Sequence, residues 1–316
     1  MKFLLYFFLL LVVCAIGLFA WTRYQVSEIE AMTRPIGAIT NIGGRAIHFL
    51  DIPHKGEEGL PTILFVHGAS GNLRDQLGAY RQKLEGKGRL IFVDRPGHGY
   101  SERGEGAVSD PAAQAAVYKQ LFDHLQIDKA VLVGHSMGSA SVAAFAVHYP
   151  ERVKGLVFVA PATHPWPGGV TWYYEWASVP VFGWLFTELL TLPAGQMRMA
   201  AAVDSVFSPN SAPDDYAETT GANLVLRPAN FRANARDVTA LNARVAELSP
   251  RYKEISAPTS IITGDQDDVV LAEIHSIGLE RDIANSRLIV EKGVGHKPDY
   301  VSTDVVIGEI RRVSGN

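Results

Sequence analysis

Three short motifs carry residue types from which a serine nucleophile can be assembled: Gly134-His135-Ser136-Met137-Gly138, Gly264-Asp265-Gln266-Asp267-Asp268 and Gly293-Val294-Gly295-His296. A serine hydroxyl attacks poorly at neutral pH unless a base lies within hydrogen-bond reach and a carboxylate orients that base. The apolar run 130–133 leads directly into the serine motif, and a stretch rich in small residues follows it. That order reads as strand, sharp turn, helix. Such a turn forces Ser136 into a strained conformation with its hydroxyl projecting at the carboxyl end of a sheet, and glycine at 134 and 138 lets neighbouring backbone come close. The following helix N-terminus places positive potential where an oxyanion would form. Ten histidines and three aspartates of the 264–268 motif compete for the other two roles.

The elements needed to hold these motifs recur along the chain. Residues 36–42 and 45–52 flank Gly43-Gly44, a tight-hairpin signal. Short apolar runs follow at 62–66, 90–93, 130–133, 153–160, 259–263 and 287–290, and their continuous apolarity fits strands buried on both faces. Helix-length stretches separate them at 72–85, 110–125, 137–149, 271–283 and 302–313. Strand alternating with helix predicts an α/β fold with a mostly parallel sheet covered on both faces. The alternation stops over 161–251, which is too long for a plain loop and is expected to form an inserted helical cap. Residues 161–190 hold eight aromatics, against a chain average of 9%. Most of them are expected to pack the cap on the core, and Trp166, Trp172 and Trp176 are the candidates for lining an apolar substrate pocket.

Composition narrows the function classes. A chain of 316 residues with 47% hydrophobic and 20% charged residues can bury a sizeable core. Its net charge of −4, without long runs of either sign, argues against a nucleic-acid partner. The lone Cys14 excludes a disulfide, a zinc ribbon and cysteine catalysis. Residues 3–22 are uncharged and, as a helix, would span about 30 Å, the thickness of a bilayer core. A membrane anchor is the first reading; a cleaved signal is the rival, weakened because Leu18-Phe19-Ala20 makes a poor cleavage site. The expected organisation is an anchor at 1–23, a linker at 24–35, a core at 36–160 and 252–316, and the cap at 161–251. The charge bias around the span is weak, and the two-residue tail before it favours a cytoplasmic N-terminus with the body exported.

At the serine motif the sequence resembles the α/β-hydrolase superfamily, and the resemblance extends from about Ile36 to the C-terminus. The family order of serine, acid and histidine implies His296, after the last strand, as base and Asp267, three residues after Gly264, as acid. Asp265 and Asp268 then read as turn formers, and His164 and His275 as surface or packing residues. His67-Gly68-Ala69-Ser70-Gly71 resembles the family's oxyanion loop, which implies that the Ala69 and Met137 N–H groups form the donor pair. Asp94-Arg95-Pro96-Gly97-His98-Gly99-Tyr100-Ser101 resembles the family's structural turn, so His98 is expected to serve the turn. One departure is Lys297-Pro298-Asp299 after His296, where relatives often carry an apolar residue or a second histidine; a more polar pocket rim is expected.

Serine at the elbow argues against the sister haloalkane and epoxide hydrolases, which use aspartate there. The expected chemistry is hydrolysis of a carboxylic ester through a serine ester, on an apolar or lipid-like acyl substrate, by a monomer using neither metal nor cofactor. An acyltransferase, a perhydrolase and a carbon–carbon bond hydrolase share the same triad. A non-catalytic binding protein is the contrasting class, opposed by the intact set Ser136, Asp267 and His296.

Overall fold

The computed structural model describes residues 1–56, 59–106 and 108–315. Its strands are β1 (Ala38–Ile42), β2 (Arg45–Ile52), β3 (Leu60–Val66), β4 (Gly88–Val93), β5 (Ala130–His135), β6 (Val153–Val159), β7 (Thr259–Gly264) and β8 (Ser286–Glu291). The helices are α1 (Lys2–Met32), α2 (Leu73–Leu84), α3 (Pro111–His124), α4 (Gly138–His148), α5 (Trp172–Ser178), α6 (Phe182–Phe186), α7 (Leu192–Phe207), α8 (Tyr216–Thr219), α9 (Pro228–Leu248), α10 (Ser276–Asp282), α11 (Pro298–Val301) and α12 (Thr303–Ser314).

The eight strands form one sheet in the order β1-β2-β4-β3-β5-β6-β7-β8. β1–β2 and β2–β4 pair antiparallel, and all other neighbours are parallel. Gly43 and Gly44 both take positive φ (59° and 85°), as a two-residue hairpin turn requires. Alternate residues of each strand serve opposite faces. Ile63 and Phe65 pack with Leu73 of α2 and Ile310 of α12, while Leu64 and Val66 pack with Tyr118 of α3 and Phe145 of α4. Both faces are covered, which is why the strand sequences are apolar throughout. The order reverses between β3 and β5, so the carboxyl ends of these two strands frame the crevice where open α/β sheets receive ligands.

Between β6 and β7 the described residues form only helices and turns. α9 runs along this layer and packs against α5. α9 is tied to the sheet by a buried ion network: Asp237 accepts from Arg95 at 2.6 Å and from Arg103 at 2.8 Å. Asn230 adds a bond to Gly97 O at 2.9 Å.

The expected linker at 24–35 is a correction. α1 continues without a break to Met32, and its second half is docked on the body. Val26 and Ile29 pack with Leu192, Leu224 and Leu226. Arg23 pairs with Glu188, Glu30 with Arg227 at 2.9 Å, and Gln25 with Gln196 at 3.1 Å. The polar residues that suggest a tether are thus the contact residues of a helix seated on the cap. The helix expected over 271–283 starts only at Ser276, because the preceding segment turns around Asp267, whose Oδ1 accepts from the amides of Val269 and Val270 at 2.9 Å each.

Candidate active site

Each candidate residue stands just beyond a strand end. Ser136 follows β5 with φ +50°, a left-handed conformation that serine adopts only where the surroundings hold it. They do so through two backbone bonds, Ser136 N–H to Val159 O at 2.9 Å and Ala162 N–H to Ser136 O at 3.1 Å. The glycines are required by contact. A Cβ on Gly138 would lie 2.5 Å from His67 O, and one on Gly134 would lie 2.8 Å from Ser139 Cα. α4 begins at Gly138, so its positive end points at the serine.

His296, after β8, sets Nε2 3.0 Å from Ser136 Oγ and Nδ1 2.8 Å from Asp267 Oδ2. Asp267, after β7, is buried, and Val269 and Val270 occupy its other oxygen. An ionised carboxylate only accepts, so the His296 proton sits on Nδ1 and Nε2 is left to accept from the serine. Asp265 and Asp268 are exposed; Asp265 Oδ1 takes the Gly293 amide at 2.7 Å. The structure therefore brings Ser136, His296 and Asp267 into one relay and leaves the other two carboxylates outside it.

The loop after β3 lies against the elbow. Among the described residues, neither the Ala69 nor the Met137 amide is engaged by another acceptor. The loop is fixed from both sides. His67, held neutral because burial and then Arg95 push its pKa down to about 3, accepts the Arg95 amide at Nε2 (3.0 Å) and donates from Nδ1 to Gly68 O (2.8 Å). From the cap, Asn234 accepts the Ser70 amide at 2.7 Å and Tyr174 meets Ser70 Oγ at 3.3 Å. Asn234, Tyr174 and Asp237 are site-supporting residues without a local sequence signal, since their partners lie far along the chain.

Of the three tryptophans, Trp166 packs beside Met137 and Ala69. Trp172 and Trp176 do not line the site: they are 56% and 49% exposed and pack against each other, Phe182 and Phe186 on the outer side of the cap. The reason is helical phase. α5 turns Tyr174 toward the Ser70 loop and Phe231 of α9, which leaves Trp172 and Trp176 outward. His98, His164 and His275 are all buried packing or turn residues; His275 Nδ1 accepts the amides of Thr163 and His164, and burial lowers its pKa to about 4.

Lys297 and Asp299 are not on a pocket rim. Lys297 is 1% exposed, its ammonium 3.0 Å from both Asp75 and Asp299, with aromatic rings of Tyr300, Tyr216 and Phe207 around it. Burial opposes its charge, but Asp299 and Asp75 outweigh that and hold the ammonium above the usual lysine range. Burial likewise works against the Asp75 carboxylate, and Lys297 overcomes it. Asp75, Asp299 and His135 bring their donor atoms within 4.8 Å of one another, the arrangement of a small cation site, but Lys297 already supplies the cation. His135, pushed down to about 4 by burial, donates from Nε2 to the His296 carbonyl at 3.1 Å.

Fold and geometry together define a class. The family model for the alpha/beta hydrolase fold matches residues 61–299, and the chain belongs to that family. Among its relatives, the chain is 27% identical over 268 residues to a 2-hydroxy-6-oxononadienedioate/2-hydroxy-6-oxononatrienedioate hydrolase of Klebsiella pneumoniae, covering 83% of this chain and 89% of the relative. Solved structures that share the fold include two hydrolases. A thermophilic esterase from Thermogutta terrifontis superposes with TM-score 0.65 at 23% identity, covering 87% of this chain and 97% of the esterase. The meta-cleavage product hydrolase CumD from Pseudomonas fluorescens IP01 superposes with TM-score 0.59 at 21% identity, covering 89% and 97%.

Proposed function

We propose that the protein is a serine hydrolase of carboxylic esters with an apolar acyl group, acting through Ser136, His296 and Asp267. The observation that carries the serine-hydrolase part of this reading is the relay itself, with its two bonds of 3.0 and 2.8 Å in a buried setting. Ser136 Oγ attacks the acyl carbon as His296 Nε2 takes its proton, and Asp267 holds the imidazole that becomes charged. The Ala69 and Met137 amides, with the α4 N-terminus behind them, donate to the developing oxyanion. His296 then returns the proton to the leaving alcohol, and water repeats the sequence to release the acid. The apolar acyl group is supported by the surroundings of Met137, where Ala69, Trp166, Val238, Leu241 and Val270 pack, and by the buried cations Arg95 and Lys297 being paired with carboxylates. The proposed working unit is a monomer, since the relay needs no residue from a second copy.

A second reading is favoured by the relatives' own activity. Cleavage of a carbon–carbon bond beside a ketone uses the same nucleophile, base and oxyanion donors, with a stabilised carbanion leaving in place of an alkoxide. The assay is one panel on the purified full-length protein: p-nitrophenyl esters from acetate to dodecanoate, monoolein, and 2-hydroxy-6-oxononadienedioate. Turnover of the longer esters and monoolein, lost in Ser136→Ala, supports the ester reading. Turnover confined to the dienedioate would replace it with the second.

The same proposal covers placement. α1 is long and apolar enough to cross a membrane, and we read it as a retained anchor with the body on the exported side. The docking of its second half on the cap supports retention over cleavage. Protease added to intact right-side-out vesicles is expected to digest the body; a protected body would reverse the orientation.

A further inference from the structure

α1 does not leave the body at the membrane edge. Its inward stripe runs through Ala15, Leu18, Thr22, Val26 and Ile29, steps of three and four residues that stay on one helical face. Along this stripe the helix packs on the turn Thr187–Thr191, on α7 and on the turn Ala222–Leu226. Ala15 and Leu18, both partly covered, lie inside the uncharged stretch 3–22. Ala15 stands about 12 Å along the helix axis from Arg23, at 1.5 Å per residue. Whatever covers Ala15 and Leu18 therefore reaches the depth of the outer acyl chains when α1 spans the bilayer.

The part of the cap beside that contact is built for such a depth. No charged residue occurs from Trp176 to Thr187. Within it Trp176, Val181, Phe182, Trp184 and Leu185 are each close to half exposed or more, with Val181 at 77%. The flanking Glu188 is buried and neutralised by Arg23 of α1 and Arg232 of α9. A contiguous apolar patch of this kind is costly to leave in water and marks a surface that another apolar phase covers. Tryptophan is the residue type that favours the headgroup level.

We propose that α5, α6 and the turn Thr187–Thr191 form a membrane-docking face, seated among the headgroups and outer acyl chains of the leaflet from which α1 emerges. The occupant is the bilayer surface. The proposal rests on the reading of α1 as a span, and it adds that the cap itself is wetted by lipid. One helix then has two duties: α5 turns Trp172 and Trp176 to the membrane and Tyr174 to the Ser70 loop beside the nucleophile. A lipid-dissolved substrate would meet the roof of the site without crossing water.

The single native Cys14, exposed within the span, gives a control position. The full-length protein is labelled with the fluorophore NBD at Cys14, or, in a Cys14→Ser background, at Val181→Cys, Trp184→Cys or Glu151→Cys, the last exposed at the amino end of β6. Each is reconstituted in phosphatidylcholine vesicles with and without nitroxide-bearing lipid. Folding of each variant is verified by circular dichroism, and either α6-region position suffices if the other misfolds. Quenching at Cys14, at 181 and at 184, with none at 151, is the expected pattern. Quenching at Cys14 alone would leave the anchor intact and overturn the docking face. An unquenched Cys14 would overturn the anchor and the docking face with it. Labels at 181 that escape lipid nitroxide but quench one another between copies would assign the face to a second copy of the chain, which also overturns the proposal.

Discussion

At the scale of single residues, the relay depends on which imidazole nitrogen carries the proton. Asp267 accepts three hydrogen bonds and leaves His296 protonated at Nδ1. In Asp267→Asn the amide NH2 can face Nδ1 and reverse the tautomer, removing the acceptor from Ser136. Turnover is expected to fall by about 10⁴-fold, the size of effect known for such a swap in serine proteases, with the melting temperature nearly unchanged. A loss below tenfold in ester kinetics would show that Asp267 does not orient the base. Lys297 has a different kind of importance. Removing its charge in Lys297→Met leaves the buried carboxylates of Asp75 and Asp299 facing each other, at an expected cost of about 3–5 kcal/mol in urea unfolding at pH 7. The Asp75 carboxyl is held down, so its contribution is present at neutral pH and lost as pH falls through its folded pKa. Lys297 is held up, so its share persists through neutral pH and disappears only on the strongly alkaline side. The wild-type advantage over Lys297→Met should therefore shrink in acid. The serine motif was readable from its strand-turn-helix context, whereas His296 and Asp267 were singled out among ten histidines and three aspartates by the order that the family resemblance implies. In the sequence Lys297-Pro298-Asp299 reads as a polar rim, because the partner Asp75 lies 222 residues away and nothing local to Lys297 reveals burial.

At the scale of elements, the strands were readable because continuous apolar runs bounded by turns have few other uses in a chain of this composition. Helix ends and the 24–35 segment were not, since a polar sequence fits an exposed tether and a docked helix equally well; only the tertiary partners Glu188, Gln196 and Arg227 decide. The elbow shows how closely elements are fitted. Gly138→Ala would drive a Cβ into the backbone oxygens of Val66 and His67, neither of which can rotate away. We expect β3 and α4 to separate locally, with turnover reduced far more than stability allows for; full activity in Gly138→Ala would mean that the loop after β3 is free to shift. The cap contributes through α9. Asn234→Ala removes the acceptor for the Ser70 amide and the donor to Ser70 Oγ. A stability loss of about 1–3 kcal/mol follows from the orphaned amide, and kcat should fall more than KM changes if the loop carries oxyanion donors.

At the scale of the whole molecule, burial of neutral histidines sets the acid limit. His67, His135 and His275 have pKa values pushed down to about 3, 4 and 4, chiefly by burial. Each is expected to titrate near 6.5 once unfolded, so the unfolded chain binds more protons between pH 6.5 and 4 and stability falls as pH drops through that window. Every such group adds up to about 1.4 kcal/mol of loss per pH unit there. Urea unfolding between pH 7 and 4.5 should show the midpoint falling steeply; a flat profile would mean that these side chains are already hydrated in the native state. On the proposed placement, α1 would hold the cap at the bilayer, and the cap packs over a relay built on the sheet's carboxyl edge. Everything else in the mechanism follows from Ser136 being an activated nucleophile. The most direct test of that activation is reaction of the full-length protein in vesicles with a fluorophosphonate, followed by peptide mass mapping. One adduct is expected, on Ser136, absent from Ser136→Ala and strongly slowed in His296→Ala. Labelling that persists in Ser136→Ala, or no labelling of folded wild-type protein, would contradict it.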